Sequence, residues 1–272
     1  MPELPEVEVI RRALEPHVVG QHIARVTLRA PRLNRRQGQP QQIPERVVGR
    51  NIQKLGRRGK FLLFELGELT LVIHLGMTGQ LRWWTRAAFI PDTHTHAWIE
   101  FAGDGILSYR DIRKFGEIFL LRTDAVEATL RLGIEPLESA FTAEGLAECL
   151  RHSQVKIKSA LLDQHKVAGV GNIYADEALF RAGIRPTRRA SSLRRDEFKR
   201  LREAIRAILA AGIRHGGSTI SDYRRPNGEP GLFVIRHRVY HRHGKPCTVC
   251  STPIRRIVLG QRGTHFCPVC QH

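Results

Sequence analysis

The sequence predicts an α+β protein of two domains: an antiparallel β-sandwich preceded by a helix, then a helical domain that ends in a four-cysteine hairpin. Three observations support this fold class. Short β-rich runs separated by turn signals fill residues 22–122, helical periodicity begins beyond residue 138, and two CxxC pairs lie near the C-terminus. The 272 residues, 42% of them hydrophobic, suffice for one large or two ordinary cores.

The first predicted domain comprises residues 1–131. A helix from Pro5 to about Leu14 opens it, because Pro followed by Glu is typical of a first helical turn. The β-rich runs that follow are evenly spaced, which indicates an antiparallel sandwich or a barrel-like domain. The predicted strands span residues 22–29, 60–66, 69–74, 80–84, 97–101, 105–109 and 117–121, and the polar residues 34–42 predict a surface loop.

Residues 132–138, with Gly133 and Pro136, predict a linker. Apolar residues then recur three and four positions apart through a second domain, residues 139–235. The predicted helices span residues 142–150, 155–162, 173–182 and 195–213. Cys149 lies in the first of these patterns and is predicted to be a core thiol. Residues 236–272 form a basic C-terminal module, in which His237, His241 and His243 are interpreted as basic surface residues.

The charge of the chain points to a polyanionic partner. Lys and Arg total 44 against 26 Asp and Glu, which gives a formal net charge of +18. Charge alone does not separate DNA from RNA. The apolar runs are too short to span a bilayer, and the N-terminus lacks the basic start of a signal peptide. We therefore expect a soluble intracellular protein without membrane contacts.

Four cysteines have the spacing of a metal site. Cys247, Cys250, Cys267 and Cys270 form CxxC, sixteen residues, CxxC, which is typical of a tetrahedral zinc site with four thiolate ligands. A closed set of four thiolates leaves no open coordination position, so the sequence predicts one structural Zn²⁺ per chain. Between the pairs, residues 254–259 and 264–266 predict a hairpin with Arg262 at its exposed tip, where it would reach a phosphate.

The connection at residues 164–172, QHKVAGVGN, lies between two predicted helices. Asn172 is predicted to be the N-cap of the second helix. Backbone amides at a helix start, together with the Asn amide, also make a phosphate site, so both roles are expected here.

The first eight residues, MPELPEVE, offer an unusual nucleophile. If the initiator Met is removed, Pro2 presents a secondary amine, whose attack on an aldehyde-like carbon gives a cationic iminium. Glu3 is a candidate proton donor beside it. The positive end of the helix dipole disfavours a terminal cation, and a nearby Lys60 would act in the same direction on the amine pKa. By itself, however, the segment is better explained as a helix start that offsets the dipole, because helix starts are common and terminal nucleophiles are rare.

Two turns present an apolar side chain, an arginine and an aromatic ring. Met77 lies between Gly76 and Thr78 just after a predicted strand, and Arg113 and Phe115 lie in DIRKFG at residues 111–116. Such a combination suits the opening of a base stack, although each residue taken alone is more typical of packing or surface.

Six segments together resemble the formamidopyrimidine-DNA glycosylases, bacterial enzymes for oxidised purines. They are PELPEVE at 2–8, RRGKFLL at 57–63, HLGMTG at 74–79, GVGNIYADE at 169–177, GGST at 216–219 and QRGTHFCPVC at 261–270. The resemblance covers essentially the whole chain. It implies base excision repair of double-stranded DNA that contains oxidised purines or abasic sites, followed by β,δ-elimination that nicks the strand. It also implies a monomer in the bacterial cytoplasm, associated with the nucleoid.

The resemblance also implies a role for each matching residue. Pro2 would attack C1′ of the damaged nucleotide, Glu3 would act as the acid at the sugar ring oxygen, and Glu6 would support the site. Residues 155–182 match a helix-two-turns-helix element, and residues 216–231 match the region that covers the damaged base. The phosphate-binding residues would be Lys60, His74, Asn172, Tyr240 and Arg262, with Lys60 and Arg262 also in the catalytic set; the wedge would be Met77, Arg113 and Phe115; the lesion-base loop would include Ser218, Thr219 and Tyr223.

Two departures from the family pattern bear on these roles. Ile112 and Lys114 stand where the family often has Pro and Arg, and the base-covering loop reads SDYRRPNGEPG. The main alternative is an endonuclease VIII-like glycosylase for oxidised pyrimidines, although Leu4 differs from that group's PEGPE start. A second alternative is a zinc-ribbon protein that binds DNA without chemistry.

Overall fold

The computed structural model describes residues 1–35 and 42–272, which form two compact units. One unit consists of Met1–Leu130 and His215–Leu232, and the other of Arg131–Arg214 and Phe233–His272. The sequence-based division had placed residues 215–232 in the helical domain. The residues predicted as a linker belong to the second unit, where the backbone amides of Gly133 and Ile134 donate to Gln164 and Lys166.

The segment His215–Leu232 packs with the sheets because its contacts lie there. Ser218 donates its backbone amide to Glu6, and the carbonyl of Asp222 accepts from Gln80. Tyr223 is buried in the core of the sheets. Such long-range pairing leaves no periodic signal in the sequence, which explains why the sequence division missed it.

Within its described residues, the first unit has three helices and eight strands. Short 3₁₀ turns also occur at Pro31–Asn34, Arg86–Ala88 and Thr123–Ala125. The elements are α1 (Leu4–Val18), β1 (Ile23–Leu28), α2 (Gln42–Val47), β2 (Lys54–Arg58), β3 (Phe61–Glu65), β4 (Leu69–His74), β5 (Gln80–Thr85), β6 (Thr95–Phe101), β7 (Gly105–Arg110), β8 (Glu117–Arg122) and α3 (Val126–Leu130).

Two four-stranded antiparallel sheets make the predicted sandwich, with strand orders β1-β6-β7-β5 and β2-β3-β4-β8. All seven predicted strands are present within about two residues of their expected ends. Strand β2 was missed because Leu55 is its only large apolar residue. In the predicted loop 34–42, Asn34 is buried and Gln42 begins α2, while residues 36–41 lie outside the described residues.

The core of the first unit lies between the sheets and α1. Helix α1 buries Val7, Ile10, Leu14 and Val18, which recur at helical spacing. Its last buried residue explains why the helix continues four residues past the predicted end. Burial of each such side chain stabilises the fold by roughly 1.5–3 kcal/mol, so this helix, which carries the N-terminus, is firmly held.

The second unit is helical and ends in a two-stranded hairpin. The four predicted helices are confirmed, and Gly183 ends the third of them in the left-handed conformation, with φ +71°. Cys149 is half-buried, so the prediction of a core thiol was wrong; Leu146 and Leu150 fill the core instead. The elements are α4 (Ala143–Leu150), α5 (Ile157–Leu162), α6 (Asn172–Ala182), α7 (Arg195–Arg214), β9 (Arg255–Leu259) and β10 (Arg262–Phe266).

Among the helices of residues 1–35 and 42–272, none has both the length and the hydrophobicity required to cross a membrane.

Candidate functional site

The N-terminal site is built by the start of α1. Pro2, Glu3 and Glu6 are all buried there, Glu3 and Glu6 with 2% and 1% of their surface exposed. One oxygen of the Glu6 carboxylate accepts the Glu3 backbone amide at 2.8 Å, and its other oxygen accepts the Ser218 amide at 2.8 Å. Glu6 therefore joins the helix start to the segment that the resemblance assigns to the lesion base.

Gly217 fits beside Glu6 only because it lacks a side chain. Its φ of +83° belongs to the left-handed region, and a Cβ would lie 2.8 Å from the ring of Tyr223 and 3.0 Å from the Glu6 side chain. The hydroxyl of Thr219 donates to the Tyr223 carbonyl, and the Tyr223 hydroxyl donates to Gly216 O. Burial, followed by the charge of Glu6, raises the pKa of Tyr223, so this phenol keeps its proton.

Lys60 lies at the turn between β2 and β3 and is only 7% exposed. Just before it, the Arg57 guanidinium donates to Gly59 O at 2.9 Å and to the Glu8 carboxylate at 3.0 Å. Arg11 and Arg12 also donate to Glu8. This carboxylate on α1 thereby ties the helix that carries Pro2 to the turn that carries Lys60.

The pKa of Glu8 reflects its three arginine partners. Burial would raise the pKa, but the hydrogen bonds from Arg11, Arg12 and Arg57 outweigh it and lower the pKa from 4.5 to about 2. A depressed pKa in the folded state means that the ionised carboxylate stabilises the fold above pH 4.5, and that this contribution is lost as the pH falls towards 2.

Replacement of Glu8 with Gln is therefore expected to lower the free energy of unfolding at neutral pH. The deficit relative to the unmodified protein should shrink steadily as the pH falls below about 4.5. Urea unfolding followed by circular dichroism between about pH 6 and pH 3 measures it. Glu15→Gln is the matched control, because Glu15 pairs with Arg11 at 2.9 Å but is 46% exposed. A deficit of constant size across this pH range would contradict the assignment.

The wedge candidates lie on two neighbouring turns of the first unit. Met77 and Phe115 are large apolar side chains, yet they are 37% and 39% exposed. The guanidinium carbon of Arg113 lies 4.6 Å from the Phe115 ring centre, a cation–π contact. His74, at the end of β4, packs its ring on Phe61 at 4.7 Å. Met77, Arg113 and Phe115 are thus exposed on the same two turns, and His74 beside them is half-buried.

In the second unit, Asn172 is the first residue of α6, and Gly171 is its N-cap, so the predicted capping role of Asn172 was wrong. Its side-chain amide reaches the hairpin instead, donating to Gly263 O at 3.0 Å and to the Tyr240 hydroxyl at 3.4 Å. Arg262 begins β10 opposite Leu259 and is exposed, as predicted.

A buried ion pair, which sequence reasoning missed, holds the hairpin. Lys158 on α5 lies 2.7 Å from Asp176 on α6, both essentially inaccessible. Lys158 also donates to Gly263 O and to Thr264, and Asp176 accepts the backbone amide of His265 at 2.8 Å. Of this pair, only Asp176 could have been noticed in the sequence, because it is a charged residue within an alanine-rich, buried helix. The network fixes the strand that carries Arg262.

Three regions of the chain match family models. The N-terminal domain of formamidopyrimidine-DNA glycosylase (FPG) matches residues 1–118, its H2TH domain residues 132–224, and the zinc finger found in FPG and IleRS residues 244–272. The chain is also 47% identical to the FPG of Thermus thermophilus, covering all of this chain and 98% of that protein. The chain belongs to the formamidopyrimidine-DNA glycosylase family.

Solved structures of this family have the same fold. A Lactococcus lactis FPG mutant in complex with DNA that contains Fapy-dG is 40% identical over the full length of both chains, with a TM-score of 0.92. The wild-type L. lactis FPG in complex with DNA that contains an oxidised pyrimidine is 39% identical, also over both full lengths, with a TM-score of 0.91. The family contains DNA glycosylases of base excision repair that also have AP lyase activity.

The FPG zinc finger has a suitable geometry for its metal. The four cysteine sulfurs lie within 4.8 Å of one another, with Sγ–Sγ distances of 3.9 Å for Cys247–Cys270 and 3.4 Å for Cys250–Cys267. Four Zn–S bonds of about 2.3 Å in a tetrahedron place sulfurs about 3.8 Å apart. The donor set therefore fits one structural zinc ion, as predicted.

Near the FPG zinc finger, the interpretation of His237 as a surface residue was wrong. It is 5% exposed, packs against Phe233 and Tyr240, and burial, followed by the charge of His241, lowers its pKa to about 4. Glu177, beside Asp176, accepts the backbone amides of residues 238, 239 and 240 and so fixes Tyr240. His241 and His243 are exposed, as expected.

Proposed function

We propose that this protein excises oxidised purines from duplex DNA through the N-terminal amine of Pro2 and then cleaves the abasic strand. The observation that carries the proposal is the site at the start of α1, where Pro2, Glu3 and Glu6 are buried together in a chain whose whole length matches FPG. Lys60 and Arg262 complete the proposed catalytic set.

The proposed reaction begins with the free amine that remains after removal of Met1. The Pro2 nitrogen bonds to C1′ as the bond from C1′ to the base breaks, and the base leaves with a proton. Glu3 supplies a proton to the sugar ring oxygen, which opens the ring and gives an iminium. Loss of the C2′ proton then expels the 3′ phosphate, a further elimination expels the 5′ phosphate, and water releases Pro2.

The position of Pro2 favours the uncharged amine. It lies just before Glu3, the N-cap of α1, and the positive dipole end of this helix disfavours a cation at the N-terminus. Glu6 is held by two backbone amides on two segments, so it orients the helix start relative to the turn at Ser218. We propose that Ser218, Thr219 and Tyr223 shape the wall against which the damaged base rests.

Binding would use phosphate contacts from both units. We propose Lys60 and His74 in the first unit and Asn172, Tyr240 and Arg262 in the second as phosphate ligands. The networks of Glu8 and of Lys158 support this, because they hold the turn that precedes Lys60 and the strand that carries Arg262. The net charge of +18 favours binding to a polyanion. Affinity for DNA should accordingly fall steeply with salt.

The DNA would be opened by Met77, Arg113 and Phe115, whose joint exposure supports this role. Extrusion of a base costs a few kcal/mol, which inserted side chains offset by filling the gap. We further propose that the protein acts as a monomer, at the bacterial nucleoid in the cytoplasm.

A second candidate function is the excision of oxidised pyrimidines. The observation that favours it is the wild-type L. lactis FPG, 39% identical, whose structure holds DNA with an oxidised pyrimidine. The phosphate and wedge residues serve either lesion, so the base-covering segment 216–231 would decide the preference.

The test is single-turnover cleavage of matched duplexes that carry 8-oxoguanine opposite cytosine, an oxidised pyrimidine opposite its partner, or no lesion. We expect the 8-oxoguanine duplex to be cut fastest, with products of β,δ-elimination, and the undamaged duplex to stay intact. Faster cleavage of the pyrimidine duplex would favour the second function. Tight binding without cleavage of any duplex would leave only a DNA-binding protein.

A further inference from the structure

We propose that Asp111 is the positioning residue that fastens the two wedge loops into one preformed unit, and this rests on the proposed wedge function of Met77, Arg113 and Phe115. The first wedge loop is residues 75–79, between β4 and β5, and the second is residues 111–116, between β7 and β8. Asp111 itself is fully buried and so does not touch DNA.

The Asp111 carboxylate bonds to both loops. Its Oδ1 accepts from the Thr78 hydroxyl at 2.5 Å and from the Arg113 backbone amide at 3.2 Å. Its Oδ2 accepts from the Gly116 amide at 2.9 Å and from the Tyr109 hydroxyl at 3.1 Å. Four donors on two oxygens match the acceptor capacity of an ionised carboxylate. One side chain thus joins Thr78, next to Met77, to both ends of the Arg113–Phe115 turn.

The backbones of the two loops also touch. A Cβ on Gly76 would lie 2.5 Å from the Gly116 nitrogen and from the Phe115 carbonyl carbon. A Cβ on Gly116 would overlap the Tyr109 hydroxyl and lie 2.8 Å from His74 O. Only glycine fits at either place, so the loops are shaped for this close approach.

The second wedge loop contains backbone strain that the carboxylate offsets. Lys114, between Arg113 and Phe115, has a φ of +55°, which a residue with a side chain rarely adopts. Asp111 bonds the amides on both sides of this residue, at Arg113 and at Gly116. Such strained conformations persist where the surroundings over-determine them, and they are typical of functional segments.

The donors around Asp111 are held in the required protonation state. Burial, and after it the charge of Asp111, raises the pKa of Tyr109, so its hydroxyl remains a donor. The ring of His96 lies 3.0 Å from the Asp111 carbonyl, and its pKa is lowered by burial and then by the charge of Lys114. The Tyr109 hydroxyl therefore keeps the proton that it donates to the Asp111 carboxylate.

A preformed wedge has a kinetic advantage. Loops that were mobile before binding would lose conformational freedom at the step in which they enter the DNA, and that cost would slow base extrusion. Phosphate binding would not change, because Asp111 contacts none of the proposed phosphate ligands. The proposal therefore separates DNA affinity from base extrusion.

The test uses Asp111→Asn in the full-length protein. The amide keeps the size of the side chain but has one acceptor oxygen instead of two, so donors on one side lose their partner. We expect binding of undamaged duplex to stay within about twofold. Single-turnover cleavage of a lesion in intact duplex is expected to fall on the order of tenfold. Cleavage of the same lesion opposite a one-nucleotide gap, where no partner base resists extrusion, should fall much less.

Two further variants keep the outcome decisive. Thr78→Val removes one donor to Asp111 and one acceptor of the Arg113 amide, but it leaves the bonds from the Arg113 and Gly116 amides to Asp111. It should therefore give a smaller defect of the same kind even if Asp111→Asn folds poorly. Asp92→Asn is the matched control, since Asp92 accepts from Thr95 and Arg110 outside both loops and should leave the rates unchanged.

Arg113→Ala separates failure of the proposal from failure of the wedge function. If Arg113→Ala leaves cleavage of intact duplex unchanged, the wedge assignment itself fails. If Arg113→Ala is slow while Asp111→Asn and Thr78→Val match the unmodified protein, the positioning role of Asp111 is overturned. Equal losses on intact and gapped duplex would also overturn it, because they would indicate a general structural defect.

Discussion

Protein that retains Met1 is expected to form no covalent adduct with lesion-containing DNA in the presence of sodium borohydride. In that form the Pro2 nitrogen is a tertiary amide, whose lone pair is delocalised and cannot attack C1′. Protein that begins at Pro2 should instead give a reduced adduct, in which one DNA strand is covalently bound to each protein chain. Mass spectrometry of the two preparations, with peptide mapping of the adduct to Pro2, measures the difference.

The two preparations are matched by producing the protein with and without excess methionine aminopeptidase. Both should bind an uncleavable abasic-site analogue equally, because Met1 is exposed and its retention leaves all the proposed phosphate ligands in place. An adduct on protein that retains Met1 would contradict the proposed nucleophile. A protein that begins at Pro2 and binds DNA, yet gives neither adduct nor cleavage, would leave the non-catalytic alternative.

Loss of the zinc ion is expected to abolish DNA binding. Zinc bound by four thiolates contributes folding free energy of about 10–16 kcal/mol in small zinc modules. Residues 244–272 bury few apolar side chains, namely Cys247, Ile254, Phe266 and Cys267, so the hairpin depends on the metal. Cys250→Ala should bind far less than one zinc per chain and lose measurable affinity for duplex DNA. Metal analysis and fluorescence anisotropy provide the two readouts.

Arg262→Ala is the control that separates metal from phosphate binding. Arg262 is exposed on β10 and contacts no cysteine, so its removal should leave one zinc per chain and an unchanged melting temperature. Affinity should fall, and the salt dependence of binding should weaken by about one phosphate contact. Full DNA affinity in Cys250→Ala protein without zinc would show that the hairpin is dispensable for binding.

The parts of the fold that were predictable are those written in local patterns. Strands such as Leu69–His74 alternate or are continuously apolar, and the long helix Arg195–Arg214 repeats apolar residues at helical spacing. The zinc ligands follow from spacing alone. Strand Lys54–Arg58 carries one large apolar residue, so its pairing with Phe61–Glu65 is decided by the sheet and not by its own sequence.

The residues that support the site were less predictable than those proposed to act in it. Pro2, Lys60 and Arg262 stand in short segments with recognisable chemistry. Asp111 and Lys158 act through partners far away in the sequence, at Thr78 and at Gly263. Their burial depends on tertiary packing, which a single sequence does not encode in any periodic way.

The assignment of His215–Leu232 to the first unit means that the two units are not consecutive modules of the gene. The chain passes between them after Leu130, after Arg214 and after Leu232. A single-crossover chimera of two relatives, joined at residue 131, would pair the Glu6 of one parent with the Ser218 of the other. The helix that carries Pro2 and the segment at Ser218 must therefore be inherited together, so recombination and engineering have to exchange them as a pair.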